Sequence, residues 1–408
     1  MISSGNNHPE VIHRSAWQFV LMMGGVSLLA DMTYEGARGM VGPWLGVLGA
    51  SAVVISTVSG LAECLGLVLR VLSGKLADRL TAKWPVVFAG YGLNLAAVPL
   101  IGMALNWPMA SACMVLERLG KAVRAPARDA LLAHAGSVLG AGKSFAVHEA
   151  LDQIGAVAGP LAAGAMLAWW ANYRTAFLTL VIPAGACLVL LVRARQRFPF
   201  PDRFESRPSG PSGREMDRLP WHAAGWWGLL AGAAAIGMGM ADYPLIAFHL
   251  CDAQGTSPAM ASAAYAGSMA VDAAAALLLG TLFDRWGMWV NGPAFMVTAV
   301  SGPLIFLGTG LYPWLGLAVW GLGMGAQEST LRATVARLAS ADCRATAYGV
   351  FYAVFGGAWL AGSAVMGWLY EVSPVWTAVW SAVWIAVGGG LLLIAATVPD
   401  RRDLGASA

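Results

Sequence analysis

The sequence predicts an all-α membrane protein, twelve apolar helices set out as two related six-helix bundles. Three observations carry that expectation. Of the 408 residues 58% are hydrophobic and only 12% charged, with mean hydropathy +0.64; a soluble domain carries about twice that charged fraction. A hairpin element, Gly74-Lys-Leu-Ala-Asp78-Arg79, returns in degenerate form as Gly280-Thr-Leu-Phe-Asp284-Arg285, each time ending one long apolar run and beginning another. Lysine and arginine gather on alternate connections, although the net charge is only +3.

Apolar runs long enough to cross a hydrocarbon core of about 30 Å are expected near 16–38, 50–72, 84–104, 108–130, 144–170, 175–194, 221–248, 258–281, 288–310, 313–338, 345–370 and 375–398. Helices are the form such runs permit, because lipid offers no partner to backbone N–H and C=O groups. Short turns such as Asn106-Trp-Pro and Leu311-Tyr-Pro separate neighbours. One polar connection rich in Arg, Pro, Ser and Gly divides six spans from six. The chain is thus expected to comprise a tail (1–15), a bundle (16–194), a linker (195–220), a second bundle (221–398) and a second tail (399–408). The first apolar run carries Asp31 and Glu35 and lacks a small-residue cleavage site, so it reads as a retained span.

An amino terminus on the cytoplasmic side puts Lys75, Lys83, Arg128, Lys143, the linker arginines, Arg285, Arg344 and Arg401 on that side too. The outer side keeps little beyond Arg38 and Arg174. Both termini and the linker are therefore expected in the cytoplasm.

The repeat extends past the hairpin. Ala30-Asp31 is matched by Ala241-Asp242, and Ser144-Phe-Ala-Val resembles Ala347-Tyr-Gly-Val. Two six-helix halves, each with a Gly-x-x-x-Asp-Arg turn after its second helix, resemble the major facilitator superfamily over essentially the whole chain. The first hairpin has Thr81 where that family usually has glycine; the second restores the glycine as Gly287 but loses the basic residues after it. The resemblance implies secondary transport by alternating access, with cargo bound between the halves near the bilayer midplane.

Each carboxylate inside a membrane costs at least about 2.5 kcal/mol on insertion scales, so each calls for a reason. Asp31, Glu35 and Arg38 share a face of the first span with Gly24 and Ser27. Ser56, Ser59, Glu63, Gly66 and Arg70 form a stripe on the second. The fourth span presents Glu117, Lys121, Arg124 and Arg128 on one face, with Arg118 about 100° away. The fifth opens with His148, Glu149 and Asp152, of which Asp152 lies farthest along the helix. Opposed acids and bases on neighbouring helices either pin packing or tie protonation to conformation. Asp31, Glu35, Glu63, Glu117, Glu149 and Asp152 are the candidates for proton exchange.

The second half is sparser. Asp242, Asp272 (on a face with Tyr265 and Ser268) and the Glu328/Arg332 pair are its strong intramembrane charges. Tyr348, Tyr352, Phe355 and Trp359 make an aromatic stripe that is either packing or a cavity wall, and the hydroxyls favour the wall. With Arg118, these residues are the candidates for the substrate cavity: an ion-rich first half for coupling, an aromatic second half for gripping cargo.

Other roles follow from the resemblance. It implies a cytoplasmic gate at Gly74, Asp78 and Arg79 with Arg124 or Arg128, and at Gly280, Asp284 and Arg285 with Arg332 or Arg337. Gly155-x-x-x-Gly159-Pro160-x-x-x-Gly164 resembles the glycine-proline signature of family antiporters, with altered spacing after the proline. Small residues at that spacing allow close helix approach.

The five cysteines are scattered, without CxxC or Cys/His metal spacing. Met238 and Met240 point to different faces, so with His249 and Cys251 they make no ready copper(I) site. No phosphate loop, catalytic triad or nucleic-acid module is evident. The sequence therefore predicts a proton-coupled secondary exporter of a small molecule, working as a monomer in the inner membrane. No cofactor, metal or nucleic-acid partner is expected. Uptake of a metabolite or metal chelate is the alternative within transport; a polytopic membrane enzyme or transceptor is the alternative outside it.

Overall fold

A computed structural model describes residues 9–79, 82–204, 224–339 and 343–397. Residues 1–8, the second tail, most of the expected linker and the side chains of Asp78 and Arg79 lie outside the described residues, while residues 9–15, expected in the first tail, open the first helix.

The chain forms α1 (Pro9–Val47), α2 (Ala52–Arg79), α3 (Trp84–Met103), α4 (Trp107–Leu139), α5 (Ala141–Trp170), α6 (Tyr173–Thr179) and α7 (Val181–Arg197). It continues with α8 (Ala224–Gly239), α9 (Tyr243–Asp252), α10 (Pro258–Trp286), α11 (Asn291–Thr298), α12 (Ser301–Leu307) and α13 (Tyr312–Ala326). Last come α14 (Arg332–Leu338), α15 (Arg344–Val372) and α16 (Pro374–Thr397). Nine stretches among the described residues are long and apolar enough to cross a membrane. One of them, Pro258–Leu307, reverses at Gly287–Val290 and crosses twice. The charged α4 and the interrupted α13–α14 complete the twelve crossings.

The interruptions have local causes. Span seven is not continuous as expected: it opens at Met240–Asp242 between α8 and α9. Pro244 brings no N–H to the Met240 carbonyl and its ring would crowd that carbonyl in a continuous helix, so it sits instead in the first turn of α9. The freed carbonyls are taken up by indoles: Trp380 Nε1 donates to Met238 at 2.8 Å and Trp320 Nε1 to Ala241 at 2.9 Å. Pro183 and Pro303 sit just beyond the breaks between α6 and α7 and between α11 and α12. Between α13 and α14, Gln327–Leu331 is π-helical, a widened turn frequently found at functional sites.

Two separate apolar cores correspond to the two bundles. One is built from residues between Ala16 and Phe198, the other from Trp226 to Leu392 with only Ala52 and Ala156 added. Their internal plans match: α2 packs on α4 as α10 packs on α13, and α1 on α7 as α8 on α16. Between the bundles α2 lies on α15 and α5 on α10, the exchange a pseudo-twofold axis demands, while α1 meets α9 on the axis.

The start of the expected linker is folded rather than solvated. Residues 195–197 finish α7, and Phe198 and Phe204 pack on Phe19 with ring centres 5.4 and 6.0 Å away. Two apolar rings in a short polar stretch find more contact on the bundle than in water.

The end holding the α4–α5 turn and the start of α8 is here called the terminal end, the other the far end. Exposed tryptophans ring both: Trp227, Trp286 and Trp289 at the terminal end, Trp169, Trp368 and Trp376 at the far end. Indoles favour the two boundaries of a bilayer in this way. At the far end the halves close tightly. A Cβ on Gly42 of α1 would stand 2.0 Å from the Pro244 carbonyl oxygen of α9, so no other residue fits there.

Candidate central cavity

A cavity of about 370 Å³ lies between the bundles, walled by α1, α2, α4 and α5 on one side and by α10, the π segment and α15 on the other. It widens toward the terminal end, where the Asp129 side chain is 45% exposed. Its floor is buried: Tyr265 is 1% exposed and donates to Glu35 Oε2 at 2.6 Å, one half bonded directly to the other. Beyond the floor, Ser262 Oγ donates to the Pro160 carbonyl at 2.8 Å and Ser56 Oγ to the Ser363 carbonyl at 2.6 Å, again across the halves. The cavity is therefore blind at the far end.

The first half supplies an ion lattice. Arg38 donates to Glu63, and Arg118 Nη2 reaches the same oxygen at 3.0 Å. Arg118 Nε lies 3.5 Å from Glu117, and Lys121 Nζ 3.6 Å from Glu35. Asn94 completes Glu117, donating to Oε1 at 2.7 Å. Three cations thus face three carboxylates and the group closes to zero charge. That is the condition under which buried ions are tolerated, since each alone costs several kcal/mol to desolvate. Glu117 faces this lattice and α3 rather than the main cavity.

Toward the terminal end lies a second group. Asp31 accepts a hydrogen bond from Tyr34, and no lysine or arginine nitrogen stands within 4.0 Å of it among the described residues. Ser27 Oγ bonds His148 Nε2 at 2.8 Å and accepts from Arg128 at 2.9 Å. Asp152 lies 3.6 Å from His148 and 3.8 Å from Arg128. His148, not Asp152, is the more buried of the pair. His148, Glu149 and Asp152 offer ligand atoms within 4.8 Å of one another, a possible cation cradle, but the Arg128 guanidinium competes for Asp152.

The second half contributes rings and few charges. Tyr352, Phe355 and Trp359 of α15 line the cavity, and Phe351 joins them. Tyr348 stands outside it, stacked on Tyr352 at 5.9 Å and donating to the Arg332 carbonyl at 2.9 Å. Asp242, at the break before α9, lies behind this wall: Trp359 Nε1 donates to it at 2.9 Å and Ser363 Oγ at 2.6 Å. Asp242 therefore anchors α15 to the unwound turn instead of facing the cavity. Asp272 and Glu328 do line it, with Arg332 3.8 Å from Glu328.

Whether Asp78 meets Arg124 or Arg128 lies outside the described residues, and the partners expected for Asp284 are elsewhere. Arg124 and Arg128 line the cavity instead of a terminal-end surface: the Arg124 guanidinium carbon lies 4.2 Å from the Tyr91 ring centre and 5.7 Å from that of Tyr34. Asp284 and Arg285 are exposed, and neither Arg332 nor Arg337 pairs with Asp284. Arg332 is held at the cavity by the π segment, and Arg337 lies under Gly287. Gly74 faces Pro126 at ordinary contact distance and Gly280 open space. The glycines of α5 do pack closely: Gly155 and Gly159 lie under the Leu28 and Met32 carbonyls of α1, and Gly164 meets α10 of the other half.

Several participants gave little signal in the sequence. Arg38, Arg70, Lys121 and His148 stand on faces already picked out by their acids. Tyr34, Tyr91, Asn94 and Gln327 look like ordinary members of apolar helices until the tertiary structure brings an ion to them.

Comparison with known proteins agrees with this architecture. The family model of the Major Facilitator Superfamily matches residues 23–363. The chain belongs to that superfamily. An uncharacterised protein of Mycobacterium tuberculosis is 43% identical over 361 residues, 88% of each chain. An uncharacterised MFS-type transporter of Methanocaldococcus jannaschii is 25% identical over 395 residues, covering 92% of this chain and 94% of its own. Among solved structures the nucleoside transporter NupG superposes at TM-score 0.71 with 15% identity, over 92% of this chain and 99% of that one, a likeness of fold. As a Major Facilitator Superfamily member the chain is a multi-pass membrane protein and, by fold, a secondary transporter.

Proposed function

We propose that this protein moves a small organic molecule out of the cell, exchanging it for protons through alternating access of the central cavity. The observation that supports this most directly is the cavity itself: built by both halves, blind at the far end, and lined by carboxylates that lipid could not host. Rocking the bundles about the α1–α9 contact would close the terminal end and open the far one. The lysine and arginine distribution supports a cytoplasmic terminal end, which makes the present shape inward-facing.

Asp31 is the strongest candidate for the proton. It is buried, accepts a hydrogen bond from one tyrosine, and has no lysine or arginine nitrogen within 4.0 Å among the described residues. Glu35, Glu63 and Glu117 have partners that favour a fixed charge, and we assign them to the scaffold. Glu149 and Asp152, nearer the opening, would pass protons between Asp31 and solvent. The export direction rests on the resemblance of Gly155–Gly164 to the antiporter signature, whose spacing after Pro160 is altered. Flux in proteoliposomes tests the reading: a cargo found by thermal-shift screening should run against its gradient when an opposing pH gradient is imposed. Gradient-insensitive flux would remove the coupling, and binding without flux would remove the transporter.

A further inference from the structure

Besides Asp31, two buried ionisable groups of the cavity have no ion-pair partner among the described residues, one on each half. On the second half, Asp272 of α10 is 4% exposed and its Oδ1 has no hydrogen-bond partner among the described residues. Glu35, Glu149 and Glu328 line the same cavity, and the Arg332 guanidinium lies 3.8 Å from Glu328 rather than pairing with Asp272. The π segment produces this crowding by turning Gln327 and Glu328 into the cavity. On the first half, Arg124 of α4 is 1% exposed, its Nε and Nη1 have no acceptor, and it joins no ion pair among the described residues. Two tyrosine faces hold the guanidinium in place, a stacking that leaves its in-plane donors free.

An unpaired ion so placed is costly, and these two do not cancel each other although both line one cavity. Resting on the transporter reading above, we propose that the cargo is a zwitterion whose ammonium group binds at Asp272 and whose anionic group binds at Arg124. The aromatic wall of Tyr352, Phe355 and Trp359 favours an organic ammonium over a hydrated inorganic cation, since ring faces attract the former at little desolvation cost. The anionic end meets a guanidinium, which suits the planar, two-pronged recognition of a carboxylate or a phosphonate. Because Asp272 and Arg124 belong to different bundles, a molecule carrying both charges grips both. Its affinity then depends on how the bundles stand, which is what lets a ligand shift a two-state equilibrium. A singly charged molecule grips one half only.

The test uses the purified full-length protein in detergent and a homologous series of ω-amino carboxylates, with the alkylamine and the alkyl carboxylate of each length as controls. Thermal melting at rising ligand concentration should show one chain length that stabilises saturably, with about ten-fold weaker binding by either singly charged control. Asp272→Asn should bring the amino carboxylate down to the level of the plain carboxylate, and Arg124→Gln to that of the plain amine. Asp272→Glu should keep the preference, and unliganded melting curves show that each variant is folded. Equal stabilisation by the alkylamine, an Asp272-dependent shift by sodium chloride over choline chloride, or no response to any length would each overturn the proposal. The two readings fail separately: pH-driven flux of a compound with one charge would sink the zwitterion and leave the transporter standing. Saturable binding of an amino carboxylate with no flux would do the reverse.

Discussion

The two bundles share one backbone plan and treat charge in opposite ways. In the first half, Arg38, Arg118 and Lys121 meet Glu35, Glu63 and Glu117 in a lattice that sums to zero. In the second, rings line the α15 side, and the buried acids stand apart: Asp242 held by neutral donors, Asp272 by none among the described residues. The difference teaches that a duplicated scaffold constrains where helices cross but not what they carry. One copy can carry a self-compensated lattice beside its unpaired Asp31 and Arg124, while the other sets its acids singly among rings and neutral donors.

The contrast can be broken by experiment. The largest effect is expected from Asp31→Asn, which should abolish accumulation driven by a pH gradient while cargo exchange across the membrane continues; retained uphill transport would move the proton elsewhere. Next, Glu63→Gln should strip two guanidiniums of their shared carboxylate. The side chain is 22% exposed, so a cost near the lower end of the buried-pair range, about 3 kcal/mol, is expected in denaturant titrations in micelles. Ser363→Ala removes one of two donors to Asp242 and should cost about 2 kcal/mol by the same measurement. Asp272→Asn should change the sign: with no partner to lose, the ligand-free protein should gain about 1 kcal/mol. A destabilised Asp272→Asn protein would mean that the two halves treat charge alike. The smallest change is Tyr348→Phe, which removes one bond to the Arg332 carbonyl and should cost under about 1 kcal/mol.

Much of the architecture was legible because the bilayer leaves so few options. Apolar runs of the right length and a repeated turn were enough to place the crossings, and acids at helical spacing were enough to mark Asp31, Glu35 and Glu63 as inward-facing. Breaks were harder. Pro244 was visible, but that the chain would open at Met240–Asp242 depended on Trp320 and Trp380 reaching the freed carbonyls from distant helices. The assignment of Arg124 to a gate rested on its position near a helix end. Its actual place depends on Tyr34 and Tyr91, whose convergence no local pattern records. The docking of Phe198 and Phe204 was likewise hidden inside a stretch whose overall composition is polar.

The abutment of Gly42 on the Pro244 carbonyl has a bioenergetic consequence. A cell that stores energy as an ion gradient cannot afford a wet seam through the proteins that draw on it, and a water-filled vestibule reaching halfway across the bilayer is most of such a seam. Where backbone touches backbone with no room for a methyl group, there is none for a file of water molecules either. At that contact, at least, the inward-open shape leaves no path for water between α1 and α9.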